Sequence, residues 1–225
     1  MLGSLAVFDL DGTLVDTLYD IAKAANAALT DLGYPEHPAV GYMARVGWGI
    51  RRLAELALPE GGRTDQSIDE LSGRIMERYR DTPMFHTAVY PWIRETLEEL
   101  VARGVTPAIL SNKPDELVKT IVARTLGDIP FADVRGAREG VARKPSPEAV
   151  LDVARQAGFA PGRVIVVGDG ETDMAAGRAA GMTVWAVGWG YRDRQTLVRA
   201  GAMLYLQSPF ELYKKTRTNH PFKWT

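Results

Sequence analysis

Residues 4 to 8, Ser-Leu-Ala-Val-Phe, form an apolar run that ends at Asp9, and a polar turn around Gly12 follows. That pattern predicts a buried strand that stops abruptly. From Thr17 the period switches: Leu18, Ile21, Ala25, Leu29 and Leu32 are spaced for one face of a helix, with Asp16 or Thr17 as N-cap and Gly33 as its stop. Ile50, Leu53, Ala54 and Ala57 predict a second helix, and Ile68, Leu71, Ile75 and Tyr79 a third, each ended by Pro or Gly-rich turns. No strand pattern is evident up to about residue 88, so 17–88 reads as an all-helical block. Beyond it strands and helices alternate: helix 91–103 closed by Gly104, strand 105–110, helix 114–126, strand 131–134, helix 147–157, strand 164–167, helix 171–180, strand 182–187, helix 192–200, strand 203–206 and a last helix from Pro209. Such alternation predicts an α/β fold, a Rossmann-like, doubly wound parallel sheet covered on both faces. The expected organisation is a core domain of residues 1–16 and 89–225, interrupted by a helical domain at 17–88. Val-Gly-Trp-Gly occurs at both 46–49 and 187–190, but the flanks differ and no repeat is inferred.

Composition narrows the chemistry. Of 225 residues 46% are hydrophobic and 24% charged, the usage of a globular chain, which excludes disordered and fibrous classes. Lys+Arg total 27 against Asp+Glu 28, so no global field recruits nucleic acid or a membrane surface, and neither is expected as a partner. The absence of Cys excludes disulfides, thiolate metal sites and a Cys nucleophile. His37, His86 and His220 are scattered in expected loops and the tail, which leaves oxygen ligands for any metal. The apolar run before Asp9 is too short for a signal peptide, and no stretch of roughly eighteen apolar residues occurs, so a cytoplasmic protein is expected. Nothing in the pattern specifies an oligomeric state. Phe222 and Trp224 in the tail are candidates either to cover a neighbour or to stay in solvent.

In doubly wound sheets ligands bind at the carboxyl ends of the strands. Those ends carry Asp9, Asp11 and Thr13 after the first strand, Ser111, Asn112 and Lys113 after the second, and Asp169 and Asp173 after the fourth, with Lys144 opening a helix before Pro145. Clustered carboxylates repel unless a cation neutralises them, and carboxylates with carbonyls and waters are the ligand set of Mg²⁺. Lysine, hydroxyl and backbone N–H groups around that cation suit phosphoryl oxygens, so phosphate chemistry is expected. A calcium loop beginning at Asp9 is disfavoured, because Thr17 and Asp20 follow where its later acidic ligands would stand.

Asp9-Leu-Asp-Gly-Thr13, Ser111-Asn112, Lys144-Pro145 and Gly168-Asp169-Gly-Glu-Thr-Asp173 occur in order. In them the chain resembles a haloacid-dehalogenase-superfamily phosphohydrolase with a helical cap, most similar to the phosphoglycolate phosphatase group, along nearly its whole length. The resemblance implies that Asp9 is the nucleophile, forming an aspartyl phosphate, and Asp11 the general acid and base. It further implies that Asp9, the Asp11 carbonyl and Asp169 hold Mg²⁺, with Asp173 as an outer ligand or an orienter of bound water. Ser111 and Lys144 would hold the phosphoryl oxygens with help from Thr13, and Asn112 would shape the loop beside them. Gly170 stands where this family often has Ser, which touches one minor hydrogen bond.

Substrate choice is expected to lie in the cap, where the segment 45–53 resembles the loop that faces the site in phosphoglycolate phosphatases. Its glycines, Gly47 and Gly49, would let the backbone approach a small ligand, and Gly47 and the neighbouring Trp48 are candidate specificity residues. Arg45, Arg51 and Arg52 are candidates to pair with an anionic leaving group, the alternative being a solvated cationic face. The expected substrate is a small anionic phosphomonoester such as 2-phosphoglycolate; sugar phosphates, nucleotides and pyrophosphate are the alternatives. A dehalogenase would not need Asp11 and the metal set, and a phosphonatase is expected to have a non-acidic residue at Asp11. A β-phosphoglucomutase-type mutase would share Asp9, Asp11 and Lys144. A catalytically inactive binding module would not need Asp11, and a nucleotide-binding oxidoreductase would need Gly-x-Gly-x-x-Gly where Asp-Gly-Thr stands.

Overall fold

The computed structural model describes residues 4–81 and 84–216. Phe222, Trp224 and His220 lie outside the described residues. The first strand, β1 (Ser4–Phe8), is followed by a two-residue strand β2 (Val15–Asp16), then by helices α1 (Leu18–Asp31), α2 (Ile50–Ala57) and α3 (Asp65–Asp81) and a second short strand, β3 (Ala88–Val89). The alternating part comprises α4 (Ile93–Ala102), β4 (Val105–Pro114), α5 (Asp115–Thr125), β5 (Val134–Ala137), α6 (Pro147–Gln156), β6 (Val164–Gly168), α7 (Glu171–Ala179), β7 (Thr183–Val187), α8 (Arg194–Arg199), β8 (Leu204–Leu206) and α9 (Pro209–Thr216).

Six strands form one sheet in the order β5-β4-β1-β6-β7-β8, every pairing parallel. The period-two alternation of β1 divides its side chains between two cores. Ala6 and Phe8 pack with Ile93, Leu97 and Leu100 of α4 and with Val118 and Ile121 of α5, a cluster that continues into α1, α2 and α3. Leu5 and Val7 face the other way, onto Val150 and Val153 of α6, Met174 of α7 and Leu197 of α8. β1 is therefore buried on both faces, as a central parallel strand must be. The chain order reverses across β1, with β4 and β5 on one side and β6, β7 and β8 on the other, so the carboxyl end of β1 is the crevice where doubly wound sheets bind ligands.

Three expectations are corrected. The 17–88 stretch is not wholly free of strand, because Ala88 and Val89 pair antiparallel with Asp16 and Val15, so that the chain leaves for the helical block and returns through a two-strand ribbon. Two residues carry no period, which hid the ribbon from the pattern. The strand expected at 131–134 pairs over 134–137, although single bonds from Ala132 to the Pro107 carbonyl and from Ile109 to the Asp133 carbonyl already draw the preceding residues alongside β4. Finally, β4 does not stop at residue 110. It remains extended to Pro114 with a register shift between Leu110 and Pro114, and this irregularity leaves Ser111, Asn112 and Lys113, three consecutive residues, all buried.

Candidate active site

Asp9 follows the last residue of β1 and is anchored by its backbone N–H, which donates to the Val167 carbonyl at 2.9 Å. Its carboxylate Oδ1 lies 2.9 Å from Lys144 Nζ, which also donates to Asp173 Oδ1 at 2.5 Å. The Asp173 Oδ2 accepts from the backbone N–H of Gly170, so this carboxylate caps the first turn of α7. Asp169 accepts from the Thr13 hydroxyl at 2.9 Å and from the Tyr191 N–H at 2.8 Å. Two glycines make room for it: a Cβ on Gly190 would stand 2.3 Å from the Asp169 Cβ, and one on Gly12, whose φ is +80°, would stand 2.5 Å from its Oδ2.

Asp11 is held on the other side. The Thr17 hydroxyl donates to its Oδ1 at 2.6 Å and Lys113 Nζ to the same atom at 3.0 Å. Thr17 stands at the N-cap position of α1, yet its side chain serves Asp11 rather than the helix, and Asp16 accepts from the Leu18 N–H instead. Lys113 Nζ also stands 4.5 Å from the centre of the Tyr79 ring.

Four buried carboxylates, Asp9, Asp11, Asp169 and Asp173, thus meet two buried ammonium groups, Lys113 and Lys144, leaving two negative charges uncompensated. The consequence is read in their protonation. Burial, and then the charges of Asp9 and Asp173, push the Asp169 carboxyl up to about 8. Burial raises Asp173 to about 6 against the pull of Lys144. Burial disfavours the Lys144 ammonium, but Asp173 and Asp9 outweigh it and its affinity for the proton rises. Carboxylate oxygens of Asp9, Asp169 and Asp173 all lie within 4.8 Å of one another. A buried oxygen-donor set short of two positive charges fits a divalent hard cation.

A cavity of about 50 Å³ opens beside Asp9 and Asp11, with Ser111, Asn112, Lys113 and Gly47 in its wall. Its other walls are apolar: Ile21, Ile50, Leu53, Ile75, Tyr79 and Leu117 from the helical block and α5 line it. The Asn112 amide donates to the Gly47 carbonyl at 2.9 Å and to the Lys144 carbonyl at 2.8 Å, so it ties the 45–49 loop to the sheet and fixes the turn before α6 that carries Lys144. Gly47 and Gly49 have φ of +104° and +88°, and a Cβ on Gly49 would stand 3.3 Å from the Asn112 carbonyl. The positive φ favours glycine at both positions, and at Gly49 the close approach to Asn112 adds to it.

The sequence-predicted residues divide accordingly. Asp9, Asp11, Thr13, Ser111, Asn112, Lys144, Asp169, Asp173 and Gly47 converge, and Trp48, partly exposed, lines a smaller recess beside Asp9, Asp169 and Thr172. The cap arginines do not join them. Arg45 donates to the carbonyls of Leu56 and Gly41, Arg51 pairs with Asp65 and Asp69, and Arg52 pairs with Glu55, so each guanidinium is engaged within the helical block. Sequence reasoning placed Lys113 at the second strand end without giving it a role, and did not select Tyr79, Thr17 or Arg192 for the site. Arg192 pairs with Glu171 at 2.9 Å and donates to the carbonyls of Met43 and Val46, strapping the loop to the core. Only Lys113 had a signal, as the third polar residue after a strand.

A family model described as haloacid dehalogenase-like hydrolase matches residues 4–181. A phosphoglycolate phosphatase of Chromobacterium violaceum is 36% identical over 214 residues, covering 92% of this chain and 93% of that protein. One from Aquifex aeolicus is 35% identical over 185 residues, 82% of this chain and 84% of that protein. Among solved structures, a predicted phosphoglycolate phosphatase from Haemophilus somnus superposes with a TM-score of 0.85 at 27% identity, covering 96% of this chain and 98% of that one.

Proposed function

The chain belongs to the haloacid dehalogenase-like hydrolases, and from that premise we propose that it is a Mg²⁺-dependent phosphatase that hydrolyses 2-phosphoglycolate or a closely similar small anionic phosphomonoester through an aspartyl phosphate. The observation that carries this reading is the buried constellation of four carboxylates and two ammonium groups at the carboxyl end of β1. Mg²⁺, held by Asp9, Asp169, Asp173 and the Asp11 carbonyl, would supply the missing positive charge and polarise the phosphoryl oxygens.

The protein groups perform the transfers. A carboxylate oxygen of Asp9 attacks phosphorus while the bond from phosphorus to the ester oxygen breaks, and Asp11 gives its proton to the departing alkoxide. Asp11 then takes a proton from the water that attacks the acylphosphate phosphorus, which releases inorganic phosphate and restores the Asp9 carboxylate and the protonated Asp11. Lys144 fixes the Asp9 carboxylate, and with Ser111 and Thr13 it supports the phosphoryl oxygens. Thr17 donates to Asp11 Oδ1 and Lys113 to both of its oxygens, so the carboxyl is held in one orientation.

Residues 17–88 act as the cap that covers this centre, and their apolar wall keeps bulk water from the ester. The cavity places Lys113 and Tyr79 beside Asp9 and Asp11 in otherwise largely apolar walls, which suits a small anionic leaving group. The names of the curated relatives support the same substrate. Phosphate release from a panel of 2-phosphoglycolate, glucose-1-phosphate, pyrophosphate and nucleoside monophosphates tests this reading. The expected outcome is Mg²⁺-dependent preference for 2-phosphoglycolate. Preference for a nucleotide, or isomerisation of glucose-1-phosphate faster than phosphate appears, would overturn it.

A further inference from the structure

With the cap arginines engaged elsewhere, the anion receptor for the leaving group must be sought in the cavity wall itself. Among the described residues lining the cavity, Lys113 is the one cationic side chain. Its side chain is 5% exposed, and the two oxygens of Asp11, at 3.0 and 3.3 Å, engage at most two of its three N–H donors. Beside it stands Tyr79, 6% exposed, whose buried hydroxyl neighbours the Lys113 ammonium and finds no acceptor for its own proton. A buried donor left without an acceptor is costly and is explained where a ligand completes it. A spare ammonium donor and a phenol donor without an acceptor, 4.5 Å from ammonium nitrogen to ring centre, in a wall otherwise built from Ile21, Leu53, Ile75 and Leu117, form a compact polar point in an apolar chamber. An anion entering there is desolvated and meets donors in surroundings of low dielectric, where charge-assisted bonds are strongest.

We propose that Lys113 and Tyr79 together form the subsite for the carboxylate of the leaving group and so determine the enzyme's choice of an anionic ester. Because Lys113 is bonded directly to Asp11, the group that protonates the departing oxygen, the recognised carboxylate lies close to the ester oxygen, as it does in 2-phosphoglycolate and does not in a long-chain acid. The inference rests on the phosphatase reading above and deepens it.

The test compares 2-phosphoglycolate with ethyl phosphate, which has the same chain length and lacks the carboxylate, in wild type, Lys113→Gln and Tyr79→Phe. Gln retains a donor for Asp11 while removing the charge, and Phe removes only the hydroxyl, so at least the second variant folds as wild type does. Expected is a ratio of kcat/KM for phosphoglycolate over ethyl phosphate that falls roughly 10- to 100-fold in Lys113→Gln and about 5-fold in Tyr79→Phe. In Tyr79→Phe the loss is expected in KM rather than kcat, which a merely structural role would not produce. A wild type that prefers phosphoglycolate with variants that keep the same ratio would overturn the subsite and leave the phosphatase reading intact. A wild type that hydrolyses both esters equally would overturn the anionic-substrate reading and the subsite with it.

Discussion

At the scale of single residues, the site is built as much by what is missing as by what is present. Gly190 carries no side chain because Asp169 occupies that space, and Asp169 is fixed there by the Thr13 hydroxyl and the Tyr191 N–H. Gly190→Ala is expected to displace Asp169, lowering stability by about 1–3 kcal/mol and abolishing the thermal shift on adding Mg²⁺; a variant that melts and responds like wild type would contradict this. Asp11→Asn preserves shape but provides no proton to the leaving oxygen, and is expected to lower kcat by roughly 10²- to 10⁴-fold in steady-state assays. Asp9, Asp11, Asp169 and Asp173 were legible in the sequence because acids directly after apolar strands have few structural reasons to be there. Arg45 was legible only as a charge beside a glycine loop. That its guanidinium turns back onto the Leu56 and Gly41 carbonyls follows from the local path of the chain, which no residue spacing encodes.

At the scale of elements, side chains of the core hold the 43–49 loop: Asn112 at the end of β4 and Thr172 at the start of α7, both through the Gly47 carbonyl, and Arg192 in the loop after β7, through Met43 and Val46. Arg192→Ala leaves two carbonyls and Glu171 without their donor, so its melting point is expected to fall, by about 1–3 kcal/mol of stability. The loosened loop should also raise KM for 2-phosphoglycolate, and unchanged KM together with unchanged melting would refute the strap. The sheet, its helices and their order were legible in the switch from period 3.6 to period two, and Gly33 and Gly104 mark helix ends where they were expected, with φ of +76° and +77°. The β2–β3 ribbon was not, because two paired residues leave no pattern, and neither was the extension of β4, whose polar Ser111-Asn112-Lys113 reads as a loop although its backbone remains extended.

At the scale of the whole molecule, the uncompensated charge links stability to metal and to pH. The Asp169 and Asp173 carboxyls are raised in the folded chain, to about 8 and about 6, from an ordinary value of 3.8, so the folded state keeps protons that the unfolded chain releases. Their contribution to metal-free stability is therefore greatest below pH 4 and is lost as pH rises toward 8. Thermal melts in chelator are expected to fall across that window, and the rise in melting point produced by Mg²⁺ to be larger at pH 8 than at pH 5; an equal rise at both would contradict the account. Whether Asp9 attacks phosphorus in a Mg²⁺-supported site is decided by phosphate release from 2-phosphoglycolate by wild type and Asp9→Asn, each with Mg²⁺ and with excess chelator. Turnover is expected from wild type with Mg²⁺ alone and none from a folded Asp9→Asn. Release by Asp9→Asn, or by wild type in chelator, at the full wild-type rate would contradict it.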